Sequence, residues 1–234
     1  KKAEFLPFDP ENWPRRSHFE HYRKSGCSFN LTAKVNIRSF LDTCRRTGVR
    51  SYPALAVLVT QTVNRIPEFR TAVDADGRPG YWEYLSPALP VFHEEDHTFS
   101  CFCTPYDPNA RNFYDALTAD LERRSRERGI LLGEFPPNLV HLSFLAGQPR
   151  RLVQHHKGIV LVQDFKLALS DQRLELQDAG CLAPVITWGR YESADGRTLL
   201  PVSLRLNHAA ADGWHASLFL RLLEESAANF NILS

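Results

Sequence analysis

"LLPVSLRLNHAAADGWH", residues 199–215, is the stretch on which the reading of this chain turns. Its first half alternates: Leu200, Val202, Leu204 and Leu206 take every second position, with polar residues between them. That period predicts a strand with one buried face. His208 has the same parity, so it projects toward the interior side at the strand's end. After Asp212 and Gly213, the apolar residues Trp214, Leu218 and Leu222 recur every fourth position, which predicts a helix beginning there.

Each polar residue of this junction has a functional reading and a plain one. An imidazole shielded by apolar neighbours stays neutral near pH 7 and suits a general base that deprotonates a hydroxyl or an amine. Its attacking nitrogen must be bare, so the other needs an acceptor, and a backbone carbonyl could serve. Equally, most histidines near cores are satisfied structural groups. Asp212 sits where aspartate is a favoured N-cap, accepting backbone N–H bonds at the positive end of the helix. From the junction alone both readings stay open.

Outward from the junction, the chain reads as mixed strands and helices in a single domain, residues 1–234. "IRSFLDTCRRTG" (37–48) places Ile37, Phe40, Leu41 and Cys44 at helical spacing and stops at Gly48. "YPALAVLVTQTVNRIPEF" (52–69) starts with Pro53 in a first turn and runs nearly all-apolar to Pro67, the pattern of a buried helix. Residues 78–103 are aromatic-rich and broken by Pro and Gly, which predicts short strands and turns. Residues 109–129 form an amphipathic helix with Phe113, Leu117 and Leu121 on one face. "NLVHLSFLAG" (138–147), "GIVLVQDFKLAL" (158–169) and "LAPVITWGRY" (182–191) read as strands, with "QPRRLVQHHKG" (148–158) an exposed basic loop.

Bulk composition narrows the function. The 28 Lys and Arg nearly cancel the 27 Asp and Glu, so no field of one sign argues for nucleic acid or an anionic membrane. No apolar run is long enough to span a bilayer and the first residues lack a signal-peptide core, so the expected place is the cytoplasm. The five cysteines, Cys27, Cys44, Cys101, Cys103 and Cys181, lack the spacing of a disulfide framework and read as reduced thiols. "CFC" at 101–103 has no second pair downstream, which argues against zinc.

Five further stretches share a likeness. "WPRRSHFEHY" (13–22), "SYPALAVLVTQTVNRIPEFRTAV" (51–73), "VFHEEDHTFS" (91–100), "EFP" (134–136) and "LAPVITWGRY" (182–191) join "NHAAADGWH" (207–215) in resembling the chloramphenicol acetyltransferase family. The junction resembles that superfamily's H-H-x-x-x-D-G signature, and the likeness covers the chain outside residues 145–180. It implies an α/β fold, a two-layer sandwich with a mixed β-sheet covered by helices. It also implies direct acyl transfer from acetyl-coenzyme A to a hydroxyl of chloramphenicol or another small acceptor, with no permanently bound cofactor and no metal. By resemblance, His208 is the base, Asn207 replaces the first histidine of the signature, and Arg15 pairs with Asp212 to hold the catalytic loop.

The same likeness puts Thr187 and Tyr191 near coenzyme A and the reacting oxygen, and Cys27, Phe29, Phe102 and Phe135 around an acceptor pocket. For each of those four, plain core packing is an equal reading. Family enzymes are homotrimers with sites between subunits. The family's oxyanion-binding serine aligns with Asp164, where a carboxylate would repel the oxyanion; Ser143 and Ser170 are the alternative donors. His18 and His21 in "HFEH" are three apart, as a metal pair could be, yet the family has a similar stretch without metal. His155, His156, Lys157, Arg150 and Arg151 read as a solvated loop or as contacts to the phosphates of coenzyme A. Two rival readings keep the fold: an enzyme that condenses carrier-bound thioesters, and a non-catalytic relative.

Overall fold

The alternation at 200–206 becomes strand β11 (Arg197–Asn207), and its four leucine and valine positions are at most 2 % exposed. The computed structural model describes residues 2–144 and 182–232. Ahead of β11 come β1 (Phe5–Pro7), α1 (Arg16–Ser25), β2 (Ser28–Asn36), α2 (Arg38–Thr47), α3 (Ser51–Asn64), a 3₁₀ turn (Pro67–Arg70), β3 (Thr71–Val73) and β4 (Pro79–Trp82). Next are β5 (Ser86–His93), β6 (Thr98–Cys103), α4 (Ala110–Arg124), β7 (Leu131–Leu132), β8 (Leu139–Phe144), β9 (Val185–Trp188) and β10 (Glu192–Ala194). After β11 the chain turns into α5 (Gly213–Ala228).

β11 anchors the large sheet. β2 runs antiparallel along one edge of it, from Leu199 opposite Asn36 to Asn207 opposite Ser28. β9 pairs antiparallel along the other edge, with Ser203 opposite Thr187. Beyond β9 the order is β8, β5, β6, β7, with β8 parallel to both β9 and β5 and β6 antiparallel to β5. The sheet is mixed, as expected. A second small sheet, β1-β4-β3, lies apart from it.

Helices cover the apolar face. α3 has buried residues on every side, because it packs against α4 and α5 as well as β5 and β8. α2 ends at Gly48, whose φ of 70° is the left-handed conformation that favours glycine in a helix C-cap. The helix predicted to run to Pro67 ends at Asn64, and Pro67 instead opens the 3₁₀ turn. The predicted helix at 109–129 ends at Arg124, with Asn109 as an N-cap that accepts from the Asn112 N–H at 2.9 Å. Strand β2 escaped sequence reasoning, although Phe29, Leu31, Ala33 and Val35 alternate through it. The predicted strand at 158–169 and the basic loop at 148–158 lie outside the described residues.

The other face of the sheet is polar. Thr32, Ser203, Thr187 and Ser143 fall in register on β2, β11, β9 and β8 and form a row of hydroxyls across four neighbouring strands. Thr32 Oγ1 donates to Ser203 Oγ at 3.0 Å.

Candidate active site

The turn between β11 and α5 runs from Asn207 to Asp212. Its middle residues, Ala209, Ala210 and Ala211, are buried and have no polar side chain with which to anchor themselves. The turn is therefore held from its ends. At the front, the His208 N–H donates to the Cys27 carbonyl at 2.9 Å, and the Asn207 carboxamide oxygen accepts from the Ala209 N–H at 3.0 Å. That short loop through the side chain is an Asx turn, which asparagine forms readily. It gives Asn207 a local role of its own.

At the back, Asp212 caps α5, its Oδ1 accepting from the Trp214 N–H at 3.0 Å. Its Oδ2 accepts from Arg15 Nη1 at 2.7 Å, a pairing across 197 residues of sequence. Arg15 and Asp212 side chains are 18 % and 34 % exposed, so this pair is better shielded than an ordinary surface ion pair. Burial pushes the Asp212 carboxyl up, but the Arg15 hydrogen bond, the neighbouring His215 and the Trp214 N–H outweigh it and hold it at about 2.

That depression has a consequence in acid. The folded value lies below the ordinary 3.8, so ionised Asp212 contributes stability that is fully present above the unfolded value. It is lost as pH falls through the folded value. Asp212→Asn is expected to flatten the acid-unfolding curve between about pH 4 and pH 2. Far-UV circular dichroism during acid titration reads this directly, and an unchanged acid limb would contradict it.

Helix α1 supplies the lid over the turn. Arg15, Phe19 and Tyr22 lie on one helical face, at i, i+4 and i+7. Arg15 grips Asp212, Phe19 packs in one cluster with Ala209 and Ala210, and Tyr22 covers His208. The Tyr22 and His208 rings stack with centroids 4.0 Å apart and planes 10° from parallel. Phe29 meets the imidazole edge-on at 5.3 Å. His208 Nδ1 is buried with no hydrogen-bond partner among the described residues, while the residue as a whole keeps partial exposure. Neither a backbone carbonyl nor another acceptor meets Nδ1 among the described residues, and aromatic stacking sets the ring plane instead.

Two more residues join the site that sequence reasoning left without a role. His215, at N3 of α5, places Nδ1 3.2 Å from the Asp212 N–H and 2.9 Å from Asp212 Oδ1, completing a capping box. Its Nε2 lies 3.5 Å from Glu68 Oε1. Histidine at N3 is the signal that was available, since that position usually holds Glu or Gln.

The remaining candidates are placed elsewhere. Cys27 and Phe29 adjoin His208. Phe102 is fully buried on β6, four strand steps from β11, or roughly 19 Å at the usual strand spacing. Phe135 is half-buried in the loop between β7 and β8. Thr187 and Ser143 stand side by side on the polar face. They lie five residues back along β11's direction and one and two strands across, on the order of 15–20 Å from His208. A single chain thus separates His208 from most of the residues expected around it.

Tyr191 and Thr187 also part company, because Thr187 lies within β9 and Tyr191 lies three residues past its end. Tyr191 lines a cavity of about 310 Å³ with Tyr52, Phe144, Trp188 and Arg190. That cavity does not include His208. Among the thiols, burial pushes Cys101 up to about 11 and Cys103 to about 12, so neither is a ready nucleophile or metal ligand. Cys27, Cys44, Cys101 and Cys103 are free, and Cys181 lies outside the described residues, as do Asp164, Ser170 and the 150–157 basic cluster. His18 and His21 are exposed on α1.

Residues 3–224 match the family described as Chloramphenicol acetyltransferase. The chain belongs to the chloramphenicol acetyltransferase family. It is 33 % identical over 229 residues to the chloramphenicol acetyltransferase of Clostridium perfringens, covering 97 % of this chain and 96 % of that one. The Streptomyces acrimycini protein of the same name is 34 % identical over 226 residues, covering 95 % and 94 %. A solved chloramphenicol acetyltransferase structure superposes with a TM-score of 0.70 at 20 % identity, over 95 % of this chain and 99 % of that one. A truncated catalytic core of the 2-oxoacid dehydrogenase multienzyme complex from Thermoplasma acidophilum shares the fold, with a TM-score of 0.60, 16 % identity and coverage of 97 % and 99 %. Membership makes this chain an acyltransferase.

Proposed function

We propose that the chain transfers the acetyl group of acetyl-coenzyme A to a hydroxyl of chloramphenicol or a similarly small alcohol, at sites formed between copies in a homotrimer. The observation that carries this is the separation within one chain. His208 sits at the end of β11 beside β2, while Phe102, Ser143 and Thr187 lie two to four strands away or on the opposite face. A neighbouring copy that brings the polar face of its β8 and β9 to the β11–β2 end of the first would bring Ser143 and Thr187 to His208, whereas the fully buried Phe102 stays in the core. Relatives named for acetyl transfer to chloramphenicol weigh against the carrier-thioester rival.

The chemistry follows from the residues. His208 takes the proton of the acceptor hydroxyl as its oxygen attacks the thioester carbonyl. The tetrahedral oxyanion needs a donor, and Ser143 is the serine we assign, since it lies next to Thr187 on the polar face. Collapse expels the coenzyme thiolate, which recovers the proton from His208, and the acetyl ester leaves. Tyr191, Arg190 and Tyr52 around the cavity are suited to a nucleotide end, with rings for stacking and a cation for phosphate. Reduced cysteines fit a cytoplasmic setting.

The test is release of free thiol from acetyl-coenzyme A in the presence of chloramphenicol. Ser143→Ala is expected to lower kcat about 10²–10³-fold while leaving the fold intact, the usual loss for one oxyanion donor. Thiol release that does not depend on the alcohol, or full turnover by Ser143→Ala, would overturn the respective assignment.

A further inference from the structure

We propose that Glu68 and His215 are positioning residues for the base: Glu68 grips His215, His215 grips Asp212, and this second brace fixes the turn that carries His208. The inference rests on His208 as the base. Arg15 holds one oxygen of Asp212 and the Trp214 N–H the other, yet both contacts act on the carboxylate and neither holds the backbone at the end of the turn. His215 Nδ1 accepts from the backbone N–H of Asp212 at 3.2 Å, which holds the main chain that carries this carboxylate. His215 is buried, so the imidazole cannot exchange this contact for water.

Glu68 is itself held rigidly. It lies on the 3₁₀ turn just ahead of Phe69, which is 1 % exposed and meets Phe219 at 5.5 Å, and of Arg70, whose Nη1 donates to the Trp82 and Glu83 carbonyls at 2.7 and 2.6 Å. Phe219 and His215 are one turn apart on α5, so the 3₁₀ turn grips the start of that helix at two levels. The order of contact is Glu68, His215, Asp212, Arg15, then through Tyr22 on Arg15's own helix back to the His208 ring. The hydrogen bond from His215 also holds the Glu68 carboxyl below its ordinary range, so the carboxylate is ionised when it engages the ring.

A double-mutant cycle tests this. Glu68→Ala is expected to lower kcat about tenfold with both Michaelis constants within about twofold, the mark of an interaction felt in the transition state. His215→Gln keeps an N3 side chain that can serve the capping box but severs the link to Glu68, so it should match Glu68→Ala. The double variant should be no worse than either single one. Additive losses, or kcat within twofold of wild type in a folded Glu68→Ala protein, would overturn the proposal. Should Glu68→Ala not fold, Glu68→Gln is put through the same cycle. The imidazole ¹⁵N signals of His208, identified by their loss in His208→Ala, are read in parallel. They should move in the Glu68 variant, and unmoved signals overturn the proposal even if the wild-type protein transfers no acetyl group.

Discussion

Replacing His208 by alanine is expected to lower kcat for acetyl transfer by about 10³-fold, with Michaelis constants nearly unchanged, because a positioned base contributes about 10²–10⁴. The variant should still fold. Removing the ring opens a void between Tyr22 and Phe29, but it also removes a buried Nδ1 that has no partner among the described residues. The first effect destabilises and the second relieves a desolvated polar group, so the two partly cancel. Thiol release measured alongside the melting temperature separates lost chemistry from lost structure. Full turnover in a folded His208→Ala protein would end the assignment of the base.

The second large effect concerns two inactive proteins made active together. His208→Ala and Ser143→Ala homotrimers should each be nearly inactive, yet chains of the two co-expressed in equal amounts should recover about a quarter of wild-type activity. Each site would draw His208 from one chain and Ser143 from another, and random assembly gives both positions wild type in about one site in four. This follows from the 15–20 Å that strand spacing puts between the two residues of one chain. If both belonged to a site within one chain, no mixture would recover anything, and the trimeric site would be refuted.

Much of the junction was legible because it is local. Alternation fixed which face of β11 is buried, fourfold spacing placed the start of α5, and Asp212 before an apolar helix announced an N-cap. The pairing of Asp212 with Arg15 entered only through resemblance, since nothing in the spacing of residues 197 apart implies contact. Tyr22 escaped notice because its value lies in being seven residues from Arg15 on a helix whose partner is the far end of the chain. Glu68 escaped for the same reason, standing in a short turn whose sequence, "PEFR", reads as a helix ending.

The sequence by itself determined the buried faces, the helix starts and stops, and the family, because these rest on periodicities and motifs written in neighbouring residues. Only the tertiary structure decided which of the expected site residues meet. Cys27, Phe29 and Tyr22 reach His208, whereas Phe102, Ser143 and Thr187 do not, because strand order sets those distances and strand order depends on contacts between segments far apart in the chain.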